Sequence, residues 1–217
     1  MARARPVIGL TADLVGEHAR LRGTYLRAVE AAGGVPVMLP PIASGREEML
    51  ARLDGLILTG GDDIDTRTLG VPLHPKAECM APGRQEAEFA TLRTLDAMPG
   101  LPVLGICLGM QMMGVHRGCP LIQHLADVLP DADRHREDRV HLVETKLGSG
   151  PVRSWHHQAL AAAGGFEILG HSDDGVIEAI RDPSRPFYVG VQWHPERTDD
   201  PTLGVGVVAR LVEAARR

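Results

Sequence analysis

The residues best placed to do chemistry are Gly105-Ile106-Cys107-Leu108-Gly109, a G-x-C-x-G pattern between a short apolar run and a stretch of helical character. A strand that turns sharply into a helix strains the corner residue and tolerates only small neighbours two positions away. The same corner lifts a side chain from the sheet edge to a helix N-terminus, where the dipole favours a nucleophilic thiolate. This is the cysteine form of a nucleophile elbow, and the N–H of Leu108 would face the same space as an oxyanion donor. Lone cysteines are usually buried core residues; the paired glycines and the strand–helix context favour the nucleophile here. Cys79 and Cys119 have no such context.

A nucleophilic thiol needs a base and a group that orients it. The segment VQWHPE, residues 191–196, offers both. Pro195 biases His194 toward an extended conformation. In extended chain, positions i and i+2 face the same way, which predicts His194 and Glu196 side by side. Thr59-Gly60-Gly61-Asp62 follows another apolar run. Its glycines allow close backbone approach to a ligand, and one N–H could be a second oxyanion donor, but a GG pair also suits a plain turn. No G-K-[ST] follows, which excludes a Walker loop. Ser154-Trp155-His156-His157-Gln158 concentrates polar groups. Adjacent histidines point apart in a strand and lie about 100° apart on a helix. No metal site is therefore expected, and pocket lining and a surface role both stay open.

The elements that must position these residues alternate in the first half. Apolar runs at 6–11, 35–39, 55–58 and 102–106 read as short strands, and 21–32, 46–53, 84–97 and 108–115 read as helices, the first stopping at Gly33-Gly34. All-apolar strands between helices are the mark of a parallel sheet covered on both faces. In the second half, strands are expected at 140–145, 166–171, 176–180 and 187–193, with a hairpin signal at Asp174-Gly175 and a closing amphipathic helix over 204–216. The predicted fold is α/β: a three-layer sandwich around a mostly parallel, partly mixed central sheet. No linker divides the chain, so residues 1–217 are read as one domain. PDADRHREDR (130–139) reads as a solvated surface loop.

Composition narrows the classes. Of 217 residues, 44% are hydrophobic, enough for a full core without disulfides, and the net charge of −5 argues against nucleic-acid partners. Three cysteines without a CxxC pair suggest a reducing compartment and no structural zinc. The apolar run before Asp13 is too short for a secretory signal, and no window approaches a membrane span. A cytoplasmic location is expected.

Taken together, GICLGMQ, a GG loop after an earlier strand and a late QWHPE resemble the class I glutamine amidotransferase fold, which is flavodoxin-like. Within it the chain is most similar to the gamma-glutamyl-gamma-aminobutyrate hydrolase group, the C26 peptidases. RPVIGLT, YLRAVEAAGGVPVMLPP, LDGLILTGGDDID, Arg84 with Glu88, SWHHQ, DGVIEAI and FYVGVQWHPE extend the likeness over nearly the whole chain. The resemblance implies Cys107 as the acylated nucleophile, His194 as base and then acid, and Glu196 as its partner. Gly61 and Leu108 would form the oxyanion hole; Gly60, Gln111, Ser154, His156 and His157 would line the substrate site. The implied reaction is hydrolysis of a small gamma-glutamyl amide through a thioester, with no metal or organic cofactor. A homodimer is what the family suggests. Three features depart from the group: Leu108 where Arg is usual, Arg153 where Asn is usual, and a short GSGPVRS before the SWHHQ motif. Leu108 is shared with true amidotransferase domains. A glutaminase subunit feeding a partner synthetase is therefore the second expectation, and a non-catalytic binding member of the fold the third.

Overall fold

Residues 4–216 are described by a computed structural model. Along the chain run β1 (Val7–Thr11), a hairpin of β2 (Asp13–Val15) and β3 (His18–Arg20), α1 (Gly23–Ala31) and β4 (Val35–Leu39). Then come α2 (Arg46–Leu50), β5 (Gly55–Leu58), α3 (Pro82–Asp96), β6 (Val103–Ile106) and α4 (Leu108–His116). The second half holds β7 (Leu121–Ile122), β8 (Arg139–Thr145), β9 (Gly148–Ser154), β10 (Ala159–Leu160), β11 (Glu167–Ser172), β12 (Ile177–Arg181), β13 (Tyr188–Val191) and α5 (Val205–Ala214).

Nine strands form one sheet in the order β4-β1-β5-β6-β13-β12-β11-β8-β9. The pairings from β4 through β13 are parallel, and those from β13 through β9 are antiparallel. The sheet is thus mixed, with the parallel core that the apolar runs predict. Alternation of side chains explains the layers. Ile57, Leu104, Ile106, Val189 and Val191 face α1 and α5, packing with Val29, Val208 and Leu211. Leu56, Leu58, Val103 and Tyr188 face the opposite way, against Leu50, Leu92 and Met113 of α2, α3 and α4. The edge strand β4 carries Pro36, where a missing N–H costs no ladder bond. Helix α1 ends as predicted at Gly33, whose φ of 87° suits glycine.

The segment read as a solvated loop departs from expectation. Within residues 130–139 a 3-10 turn, Ala132–His135, buries Ala132 and His135, the latter completely. Strand β9 is also absent from the sequence reading. Its Gly148, Ser149, Gly150 and Pro151 lack strand propensity, but seven registered pairs with β8 hold it. Among the described residues, no helix is long and apolar enough to cross a membrane.

Candidate active site

Strands β5, β6 and β13 are neighbours and parallel, so their C-terminal ends open onto one crevice, the usual ligand position in such sheets. Thr59-Gly60-Gly61 leaves β5, Cys107 leaves β6, and Gln192-Trp193-His194 leaves β13. Register brings them together. Val191 pairs with Ile106, and the Cys107 N–H donates to the Val191 carbonyl at 2.8 Å.

Cys107 has φ 52° and ψ −106°, outside the ordinary regions for a side-chain-bearing residue. The flanking glycines make that corner possible. A Cβ at Gly109 would stand 2.1 Å from the Leu58 carbonyl oxygen, and one at Gly105 would stand 2.4 Å from Met113 Sδ. Helix α4 therefore starts pressed against β5, with the thiol at its N-cap. The sulfur lies 3.7 Å from the Trp155 carbonyl and accepts from Gln192 Nε2 at 3.6 Å. The N–H groups of Gly61 and Leu108 have no acceptor among the described residues.

His194 is buried, and its Nδ1 lies 2.9 Å from Glu196 Oε1, a carboxylate only 1% exposed. Predicted proximity holds, but the predicted route does not. The chain does not continue extended past β13. The Arg197 N–H donates to the His194 carbonyl at 3.1 Å, closing a four-residue turn with Pro195 at its second position, where proline's fixed φ suits it. His194 Nε2 is buried without a hydrogen-bond partner among the described residues. Thiol and ring share one space: a Cβ at Gly60 would sit 3.0 Å from His194 Cε1 and 3.6 Å from Cys107 Cβ. Burial alone would lower the ring's pKa, but Glu196 and the Cys107 sulfur outweigh it and raise it to about 10.

Tyr25 and Arg84 complete the crevice. The Gly60 N–H donates to the Tyr25 hydroxyl at 3.0 Å. Burial, helped by Glu196 and Cys107, holds that hydroxyl well above its usual pKa, so it stays neutral. Arg84, 1% exposed, donates to the Gly60 carbonyl at 2.9 Å and pairs with Asp13 at 3.1 Å. It pins the glycine loop to the β2–β3 hairpin. The sequence singled out Arg84 only by likeness, and Tyr25 only as the first residue of a segment of that likeness. An arginine on a buried helical stripe and a tyrosine among aliphatics were the available signals.

Two cavities meet at the nucleophile. Cys107, Gly61, Asp62 and Trp155 line both. The first, about 400 Å³, also has Gly60, Tyr25, Arg20, Arg22, Arg197 and His194 in its wall. The second, about 460 Å³, has Gln111, His156, His157 and Asp63. Gln111 is buried and its amide donates to the Gln158 carbonyl at 3.0 Å and to Gln192 Oε1 at 3.2 Å. His157 Nε2 lies 2.8 Å from Asp63 Oδ2. Of the residues predicted to line the substrate site, Ser154 is the one in neither cavity wall. It ends β9, fully buried, with an unpartnered hydroxyl.

The profile of the Peptidase C26 family matches residues 6–196. Rv2859c of Mycobacterium tuberculosis, provisionally named a glutamine amidotransferase, is 37% identical over 99% of this chain and 76% of its own length. The gamma-glutamyl-gamma-aminobutyrate hydrolase PuuD of Escherichia coli is 30% identical over 88% of this chain and 85% of its own. Among solved structures, a Thermoplasma acidophilum protein provisionally described as part of a GMP synthase superposes with TM-score 0.68. It covers 98% of this chain and 95% of its own length at 17% identity, a likeness of fold alone.

Proposed function

Because the chain belongs to the Peptidase C26 family of class I glutamine amidotransferase-like hydrolases, we propose that it hydrolyses gamma-glutamyl amides through a thioester on Cys107. The observation that carries this reading is the buried Glu196–His194 pair beside a strained thiol at a helix N-terminus. At neutral pH the ring is cationic and favours negative charge on the sulfur. The sulfur attacks the gamma-carbonyl carbon. The carbonyl oxygen gains the negative charge and takes the N–H groups of Gly61 and Leu108. As the C–N bond breaks, His194 Nε2 passes its proton to the departing amine. Acylation removes the sulfur's charge and with it part of what raised the ring's pKa, so the neutral imidazole can now accept a proton from water. That water attacks the thioester carbon, glutamate leaves, and the sulfur is free again. Glu196 holds the ring's tautomer throughout.

The two cavities divide the substrate. His194 protonates the leaving amine and lines only the first cavity, so the amine belongs there and the glutamyl group belongs with Gln111, His156 and His157. Arg20, Arg22 and Arg197 in the first wall suit an amine that carries a carboxylate, as gamma-aminobutyrate does. Leu108 favours the second reading, a glutaminase subunit passing ammonia to a synthetase.

The test is intact-mass spectrometry of the purified protein mixed with gamma-glutamyl-gamma-aminobutyrate or glutamine. One glutamyl adduct is expected, absent in Cys107→Ser. Turnover of the acidic amide without any second protein supports the stand-alone hydrolase. Glutamine turnover that appears only with an added synthetase supports the second reading. No adduct and no turnover with any gamma-glutamyl amide, with or without an added synthetase, refutes both.

A further inference from the structure

A second cluster of titratable side chains lies behind the glutamyl cavity, outside the thiol chemistry. Glu178 of β12 is fully buried, and three imidazoles surround it. His135 comes from the turn Ala132–His135, His141 from β8 and His156 from the segment after β9. The side chains of His135, His141 and Glu178 are 0% exposed and that of His156 is 2% exposed.

Their outer hydrogen bonds fix where the protons sit. His156 Nδ1 lies 2.9 Å from the Gln158 carbonyl, which can only accept, so Nδ1 carries the hydrogen. His135 Nε2 lies 2.8 Å from Asp174 Oδ2, and a carboxylate accepts, so Nε2 donates there. The inner nitrogens, His135 Nδ1 and His156 Nε2, face Glu178 Oε1 at 3.6 and 3.7 Å. Those separations are too long for direct hydrogen bonds. Neither nitrogen, nor Glu178 Oε2, has a partner among the described residues. His141 Nε2 donates to Oε1 at 3.0 Å. With Nε2 donating outward to Asp174, His135 turns its unpartnered Nδ1 toward Glu178.

The inner ring nitrogens and the carboxylate converge on one buried point, the nitrogens without a hydrogen-bond partner among the described residues, an arrangement that a cation between them would satisfy. The three donors lie within 4.8 Å of each other. Ligands at about 2.0–2.2 Å from one zinc ion are themselves roughly 3.3–3.6 Å apart. Metal-bound histidines characteristically donate their other N–H to a carboxylate or a backbone carbonyl, and Asp174 and Gln158 supply those acceptors here. We propose that His135 Nδ1, His156 Nε2 and Glu178 bind a zinc-class divalent cation. His141 orients the carboxylate, and Oε2 can bind the ion as well. The site would be structural. It would tie β12 and the turn Ala132–His135 to the segment whose Trp155 carbonyl lies against Cys107 Sγ. No sequence signal announced it, because the ligands come from three separate elements without short zinc-motif spacing, and the other half of the histidine pair, His157, points to Asp63 instead.

The test is the metal content of the purified full-length chain after growth with zinc and dialysis against metal-free buffer. About one zinc per chain is expected by plasma mass spectrometry. It should fall at least tenfold in Glu178→Gln and His135→Ala and persist in Cys107→Ser. Removing a buried carboxylate can unfold a protein, so the unaltered chain provides an independent readout. Zinc added to chelator-stripped protein should raise its Tm, and cobalt should give visible ligand-field bands of a low-coordinate site without sulfur-to-cobalt charge transfer. A stripped protein with no Tm rise and no cobalt bands overturns the proposal. So does metal that persists in folded Glu178→Gln and His135→Ala, since it would then sit elsewhere. None of these measurements depends on the thioester reading.

Discussion

Replacing Glu196 with Gln keeps an acceptor oxygen for the His194 ring and removes only the charge. The ring's rise from 6.5 to about 10 corresponds to about 5 kcal/mol in favour of imidazolium, at roughly 1.4 kcal/mol per pH unit. Glu196 is the largest favourable contribution. Unit charges about 4 Å apart at an effective dielectric near 20 interact by about 4 kcal/mol, of the same size. Most of the rise should therefore vanish with the carboxylate, while burial continues to disfavour the charged ring. The free enzyme's alkaline limb reports loss of the imidazolium proton, so in the kcat/KM profile it should move down by about two to three pH units. At neutral pH kcat/KM should fall by roughly two to four powers of ten, the range seen when a triad's acidic member is neutralised. The assay is glutamate release from a gamma-glutamyl amide between pH 5 and 11 (about six units, to bracket both limbs), with circular dichroism to verify the fold. An alkaline limb that stays in place, with kcat/KM reduced less than about tenfold, would refute the reasoning.

Gly109→Ala should place a methyl group 2.1 Å from a backbone oxygen of β5. That costs about 3 kcal/mol, the upper part of the overpacking range because the neighbour is main chain, and lowers Tm by roughly 6–12 °C; calorimetry showing almost no change would mean that α4 is not pressed on the strand. Tyr25→Phe removes the acceptor of the Gly60 N–H at 3.0 Å. A loss of roughly 1 kcal/mol should lower kcat/KM about fivefold, and steady-state kinetics at wild-type values would contradict an anchoring role. In metal-free protein, Glu178 has a folded pKa of about 2 against an ordinary 4.5. The folded state then binds fewer protons than the unfolded one between those values. Its contribution is present above about 4.5 and is lost as pH falls toward 2. Glu178→Gln should flatten the decline of Tm across that window, and parallel declines in the two proteins would count against the buried pairing.

Continuous apolar runs and period-3.6 patterns were enough to read the parallel half of the fold, because β5, β6 and β13 are sealed between helices and buried throughout. The antiparallel extension was only partly legible. β9 is made of residues that seldom form strands, and its place comes from pairing with β8 rather than from local preference. The elbow was readable from Gly105 and Gly109, since the backbone contact that excludes a side chain leaves its mark in composition. His194 and Glu196 were readable as neighbours but not as members of a turn, because Pro195 suits both extended chain and a turn. Burial of His135 was invisible among so many charged residues. Its partners, Asp174 and Glu178, lie before and on β12 respectively, and only the folded chain joins them to it.

The hairpin β2–β3 supplies Asp13 and Arg20 to the wall through which the amine would depart, and none of its residues to the glutamyl side. Its outer residues are solvent-facing, and the Arg84–Asp13 contact fastens its base. Such an appendage is separable from the machinery beneath it. Grafting another hairpin between β1 and α1, with Asp13 retained, offers a route to retarget the enzyme toward different amines while the acyl half stays as it is.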